Sequence, residues 1–567
     1  MRRREYRSAG ATTGDCRARR SASLLRRCLE HHRDRRIGDA CRGSGRQPGP
    51  ADRSEHDRRR QDARRSDSGC RHPDRTALLD RRGDAQFLAR RASRRAEGRS
   101  DDRPACGERT MTSPTAIRSA SANGASNVWE PFRPDVDGAW DERRVRHLVR
   151  RAAFGAGPEL IETLVEMTPD DAIERLLTGT PDEATRQSES DALARTILAS
   201  GDPKRLGAWW TYELITTTHP LRERMTLFWH GHFATGGDKV TDAEALYRQN
   251  RLLRDEALGN FRTMTHAIAK DPAMLVYLDS VTNRKAHPNE NFARELMELF
   301  CLGEGNYSEA DVQQLARCFT GWEIRQGKFR FNRYQHDDGE KSIFGRRSTF
   351  PDAEAVDWVL AHPAAPRFVA SKLIRLFVTD AMPTDDELEP IAELLVEHDW
   401  NLLPAVRTIL RSRRLLGDET IGTKVRSPVD LIIGLLRSFD GTANASRLAD
   451  DLRRMGMGLF FPPNVKGWDG GRTWINAATL LERANGIGRL LQDDATRFDR
   501  RPVGEHLMAR FGDDDDSLGK LAEVLLAVRP NDATLARLAA VGEGRSGAAR
   551  AVARMHALAA SPLAQLG

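Results

Sequence analysis

The sequence predicts a mainly α-helical protein: one large multi-helix domain over residues 125–567 with a small β-hairpin insertion near 322–331, behind a disordered Arg-rich leader at 1–124. Three observations predict it. Apolar residues recur at helical spacing from about residue 145 to the end of the chain. Helix-start residues precede several of these runs. Only one stretch, WEIRQGKFRF at 322–331, alternates apolar and polar residues around a Gln-Gly pair.

The leader differs from the rest in composition. Residues 1–110 hold 31 Arg, no Lys and 17 acidic residues, a balance of +14, with five of the seven Cys, no Trp and a single Phe, Phe87. No apolar period runs through them, and so little apolar surface cannot offset the entropy of an ordered chain. An Arg-rich arm for polyanions, a disordered leader, and an untranslated upstream stretch with the true start at Met111 all fit this composition. The remainder carries 58 basic and 65 acidic residues, so the chain's overall +7 hides an acidic domain. Phosphate binding needs clustered cations, so no nucleic-acid partner is expected for the folded domain. No apolar run approaches the roughly 18 residues of a membrane span. No secretory signal follows Arg2–Arg4 or Met111, which points to the cytoplasm. Cys301 and Cys318 alone remain after Met111, too few for a disulfide framework.

Order is expected to begin near Trp129. Val145, Leu148, Val149 and Ala152 form a helical stripe that Gly155 stops. Thr168 followed by Pro169, Asp170 and Asp171 reads as a capped helix start, with Ile173, Leu176 and Leu177 as its buried stripe. Leu221, Met225, Phe228 and Trp229 share one face of a further helix. Asn289 reads as the N-cap of a helix over 289–302. Ser308 with Asp311 reads as a capping box for a helix over 309–320, and the Gly303–Tyr307 turn should fold this pair into an antiparallel hairpin. Ser427 and Pro428 open another helix, and short Ala/Leu/Arg-rich helices fill the chain beyond 500. No fixed-period repeat marks a solenoid.

Four segments are richer in His, Trp, Asn and acid than packing demands. In FWHGHF, 228–233, His230 and His232 diverge by about 200° if helical, but at a helix end near Gly231 they could converge on a metal. In PNENFARELMELF, 288–300, Glu290, Arg294 and Glu298 line one face opposite Phe292, Leu296, Leu299 and Phe300. That face is either a solvated stripe of Glu–Arg pairs or one wall of a pocket. In FRFNRYQHDDGEK, 329–341, His336, Asp337, Asp338 and Lys341 crowd a turn that is either a metal site or an Asp-Gly turn. The loop FFPPNVKGWDGGRTWIN, 460–476, carries Lys466, Trp468 and Trp474, either as a lid over the core or as a lining for a bound cofactor. Phosphate loops, dinucleotide fingerprints, HExxH, paired CxxC and GxSxG elbows are not found.

The order HLVRRAAFG, RMTLFWHGHFATG, PNENFARELMELFCLGEGNYSEADVQQLARCFTGW, HDDGEK and PPNVKGWDGG…TWIN resembles the bacterial family called domain of unknown function 1800, over roughly 140–490. The resemblance implies a large helical protein, often exported, and a sulfatase-like neighbour protein as partner. It brings no established activity, cofactor or catalytic residue. It makes His230, His232, Asn289, Glu290, Arg294, Glu295, Glu298, His336, Asp337, Lys466 and Trp468 the candidates for a shared site. Two functions follow. One is a non-catalytic assembly or binding protein with a buried His/Glu/Arg network. The other is a hydrolase in which His230, His232, His336 and Asp337 hold one divalent metal ion. Its catalytic groups would come from Arg294, Glu295, Glu298 and Lys466, with a Glu as general base. On either, His230, His232 and at least one of Glu295, Glu298 or His336 are expected around a single pocket.

Overall fold

Local chemistry starts the helices where the sequence places those starts. The structure, a computed structural model, describes residues 128–514 and 516–567, and the expected leader with its Met111 start lies outside the described residues. Asp141 accepts from the Arg144 amide to open Glu142–Ala153, which ends on Phe154 and Gly155 at φ 66° and 144°. Thr168 caps Pro169–Thr178, and capping boxes at Ser308/Asp311 and Ser427/Asp430 open Glu309–Cys318 and Pro428–Arg437. Among the described residues no helix is long and apolar enough to cross a membrane.

The hairpin near 322–331 forms with Trp322 opposite Phe331 and Ile324 opposite Phe329. Gln326 and Gly327, at φ 53° and 68°, supply the left-handed pair that a tight two-residue turn requires. Two further small sheets were not foreseen. One pairs Lys341–Ile343 with Arg346–Ser348, and the other joins Gly441–Thr442, Arg497–Phe498 and Arg501–Pro502. Strands of two or three residues are too short to show a period of two in sequence.

The helix pair folds back as expected, bringing Phe292 at its start within 5.3 Å of Phe319 at its end. Gly303 and Gly305 turn at φ 83° and 86°. Two details correct the sequence reading. The first helix begins at Asn291 after Glu290, and Asn289 instead accepts the Asn291 amide in the preceding turn. It is α-helical only through Glu295, and Leu296–Cys301 continues as a π turn in which the Leu302 amide reaches the Met297 carbonyl at 2.8 Å. The inserted residue shifts the angular spacing of everything after it. Cys301 and Cys318 are buried free thiols.

Two apolar clusters make the interior. The first gathers Leu148, Leu221, Trp229, Phe261, Phe300, Trp322 and Leu373. The second gathers Trp209, Trp210, Leu227, Leu431, Phe460, Phe498 and Met555. The helix Pro220–His232 borders both, giving Leu221, Met225 and Trp229 to the first and Leu227 to the second.

Charge runs through this interior in partnered form. Arg254 donates to both oxygens of Glu223 at 2.6 and 2.8 Å and to Asn250 at 2.8 Å, and Trp210 donates to Glu223 at 3.2 Å. Arg186 bridges Glu213 and Glu183 at 3.1 and 3.0 Å. Burial by itself would raise the Glu223 carboxyl, yet the Arg254 guanidinium holds it below the ordinary range. Other arginines close helix ends. Arg437 donates to the carbonyls of Leu214, Ile215 and Thr217 after Pro203–Thr216, and Arg151 to those of Phe377 and Val378 after Ala364–Phe377. Carbonyls that a helix leaves unpaired carry its negative dipole end, so a guanidinium satisfies both needs.

Candidate functional site

His230 and His232 occupy the last turn of Pro220–His232, so the helical alternative holds and their rings diverge. His230 meets Trp210, Phe460 and Trp468 at ring separations of 5.1, 5.4 and 5.8 Å. His232 meets Phe261, Phe300 and Phe368 at 6.0, 6.0 and 6.2 Å, and its Nε2 lies 3.0 Å from the Phe300 carbonyl. They are only 1 and 8 % exposed, and burial lowers both pKa values to about 3, so both rings are neutral at physiological pH. His230 Nε2, His232 Nδ1 and Trp468 Nε1 are buried polar atoms that make no hydrogen bond within the protein.

The Pro/Gly-rich loop is seated on this helix end backbone to backbone. Gly467 turns at φ 75°, and a Cβ there would stand 2.0 Å from the Gly231 carbonyl oxygen. Trp468 lies against Gly231, within 3.4 Å of where a Cβ would be. Close approach demands glycine at 467 and small bulk at 231. Lys466, Asp469 and Arg472 remain exposed, whereas Trp474 is buried in the second cluster as packing.

The acidic helix faces the same junction. Its π turn supplies the Phe300 carbonyl to His232, and Lys466 reaches Glu304 at 3.9 Å. Glu295 is partly buried. Its carboxyl is raised above the ordinary range by burial and then by Glu298, with Arg294 and Lys466 opposing. Glu298 accepts from the Tyr307 hydroxyl at 2.7 Å, and the Tyr277 hydroxyl is raised by burial, Asp238 and Glu295. The expected Glu290–Arg294–Glu298 stripe is broken by the π turn. Arg294 pairs with Glu290 at 3.1 Å and with Glu309 at 2.7 Å, leaving Glu298 to Tyr307. A carboxyl of raised proton affinity beside a second, hydrogen-bonded carboxylate can exchange a proton or receive a cationic group.

His336 and Asp337 have partners of their own. His336 Nδ1 lies 2.9 Å from the Thr320 carbonyl, Asp337 pairs with Arg317 at 2.7 Å, and Asp337 accepts the Gly339 amide at 2.9 Å. Lys341, 1 % exposed, donates to the carbonyls of Asp337 and Thr349. This is the Asp-Gly turn reading, fastened to the end of Glu309–Cys318. Three of the four segments therefore meet in direct contact, and the fourth is engaged with a different element. Among the described residues no group of three or more His, Cys, Asp or Glu is placed to hold a metal ion.

Sequence reasoning overlooked Tyr277, Tyr307 and the Glu223–Arg254 pair. Tyr307 lay inside the turn between the two helices and could have been found from its spacing to Glu298. Single charges at 223 and 254 read as solvated positions, and nothing nearby in sequence marks them as buried.

The sequence pattern of the family described as protein of unknown function (DUF1800) matches residues 147–566, nearly all of the described residues. The chain belongs to the DUF1800 family. The match extends well past residue 490, where the motif resemblance ended, so the DUF1800 domain includes the short helices at the end of the chain. No curated protein and no solved structure matches this DUF1800 chain.

Proposed function

We propose that this DUF1800 protein is a non-catalytic binding or assembly protein whose docking face is the junction of the acidic helix with the Pro/Gly-rich loop. The observation that carries this is the seating of Gly467 on the Gly231 carbonyl, which fixes a loop whose Lys466, Asp469 and Arg472 stay exposed. A loop immobilised on a rigid helix presents charge without the ordering cost that a mobile loop incurs on binding. His230 and His232 act beneath it as neutral aromatic packing, and the Glu/Arg pairs inside are structural. The sulfatase-like neighbour protein implied by the family is the partner to test. A photo-crosslinking residue at 466 should yield one adduct with that protein, strongly reduced by Trp468→Ala. Equal yield from a crosslinker at exposed Val528 would overturn the reading.

The raised Glu295 carboxyl beside Glu298 favours a second reading, a hydrolase using Glu295 or Glu298 as general base. It requires hydrolytic turnover by the purified protein that is lost in a folded Glu295→Gln variant.

A further inference from the structure

A second place in the molecule, sharing no residue with the motif junction, has the makings of a ligand site. A cavity of about 280 Å³ is lined by Pro158, Phe439, Ala509, His506 and Arg510, with Asp440, Asp499 and Arg501 at its rim. It is built on the three-stranded sheet and the helix Val503–Phe511. One wall is the Phe439 ring, which is backed by Phe498 stacked on it at 4.8 Å. The His506 ring stands edge-on to them at 6.0 and 5.9 Å. The Arg510 guanidinium lies 5.7 Å from the Phe439 ring and 5.1 Å from that of Phe511.

Two polar atoms there have no use within the protein. His506 is 9 % exposed and its Nε2 makes no hydrogen bond, and Arg510 Nη1 is buried and likewise unpartnered. Leaving a buried guanidinium N–H without an acceptor is costly, and two such atoms beside one cavity call for the same acceptor. Two non-glycine residues in left-handed backbone, Asp440 and Asp499 at φ 46° and 42°, line the cavity, and Arg500 at φ 68° follows in the chain. Such conformations persist where surrounding structure enforces them, and they gather at binding sites.

We infer that this cavity binds a small molecule carrying one carboxylate and an apolar body. The carboxylate oxygens would accept from Arg510 Nη1 and His506 Nε2, a charge-assisted arrangement. The apolar body would lie on Phe439, Pro158 and Ala509. Charge selects the class. Arg501 and Arg510 are balanced by Asp440 and Asp499, so a monoanion is accommodated whereas a phosphate dianion meets two carboxylates at the rim. The volume falls near the lower end of ligand cavities, roughly 300 Å³, which limits the ligand to a small one.

Titration of the full chain at pH 7, followed by the His506 ring resonances, tests this with benzoate, benzyl alcohol and inorganic phosphate. Benzoate should saturate the shifts, and benzyl alcohol and phosphate should bind at least about tenfold more weakly. Arg510→Gln should weaken benzoate about tenfold at unchanged melting temperature. Absence of saturation by benzoate, or phosphate binding as tightly as benzoate, overturns the inference, as does unchanged benzoate affinity in Arg510→Gln. Should that variant not fold, the exposed rim residue serves instead: Arg501→Gln should weaken benzoate by about two- to threefold, and unchanged affinity there is equally decisive.

Discussion

The buried ion-pair seam and the motif junction are both rich in carboxylates, and they treat them in opposite ways. In the seam, Glu223, Glu213 and Glu183 each meet a guanidinium at hydrogen-bond distance, and Glu223 and Glu213 have no exposed side-chain surface. At the junction, Glu295 is partly buried without an equivalent partner and sits beside Glu298, and the loop cations Lys466 and Arg472 remain exposed. The first arrangement spends its charge on holding helices together. The second leaves proton affinity and electric field available at the surface, which is what recognition or proton transfer needs. Burial of a charge is thus a poor guide to function here, and incomplete pairing is a better one.

The largest effect should come from breaking the seam. Glu223→Ala leaves the Arg254 guanidinium buried and unpaired, and should cost about 3–5 kcal/mol in a denaturant melt. A loss below about 1 kcal/mol would erase the contrast between the regions. Next comes Gly467→Ala, which places a methyl group against the Gly231 carbonyl in left-handed backbone. Unseating the loop should cost about 1–3 kcal/mol and expose Trp468, read as a red shift of its fluorescence.

Acid should separate the regions by pH. His230 and His232 fold with pKa values of about 3 against 6.5, so their contribution is complete above pH 6.5 and is lost as pH falls toward 3. Against burial, Arg186 holds Glu183 at about 2 from 4.5, and Arg224 holds Asp430 at about 2 from 3.8. Those two contribute fully above pH 4.5 and lose it only as pH approaches 2. Stability measured against pH should therefore decline in two stages, and His230→Phe should flatten the upper one. The smallest effect belongs to Lys466→Ala. Its 3.9 Å contact with Glu304 joins two exposed side chains, so the change in stability should stay within about 0.5 kcal/mol.

Much of the helical frame was legible because its signals are local. Thr168, Ser308 and Ser427 cap the helices they precede, and Gln326-Gly327 turns the hairpin, through contacts spanning only a few residues. The π turn at 296–301 was not legible, since LMELF has an ordinary helical pattern that carries no mark of an extra residue. That one residue separated Glu298 from the stripe with Arg294. The meeting of Gly231, Gly467 and the Phe300 carbonyl was approachable only as a list of unusual segments, and His336 belonged to that list for a local reason, its turn. Arg254 and Glu223, distant in sequence and each unremarkable beside its neighbours, left no trace at all.

The arginines that close helix ends also bear on the order of events during synthesis. Arg151 belongs to the first helix of the described residues, yet its guanidinium donates to the carbonyls of Phe377, Val378, Thr420 and, 416 residues downstream, Gly567. At about 5–20 residues per second, the ribosome delivers that last carbonyl on the order of 20–80 s after Arg151 itself. Throughout that interval the helix 142–153 has its apolar stripe and its arginine without their final neighbours. The first helix of the described residues is thus among the last to be docked, and a nascent chain stalled before residue 377 should be far more open to protease within 142–153 than one extended through Gly567.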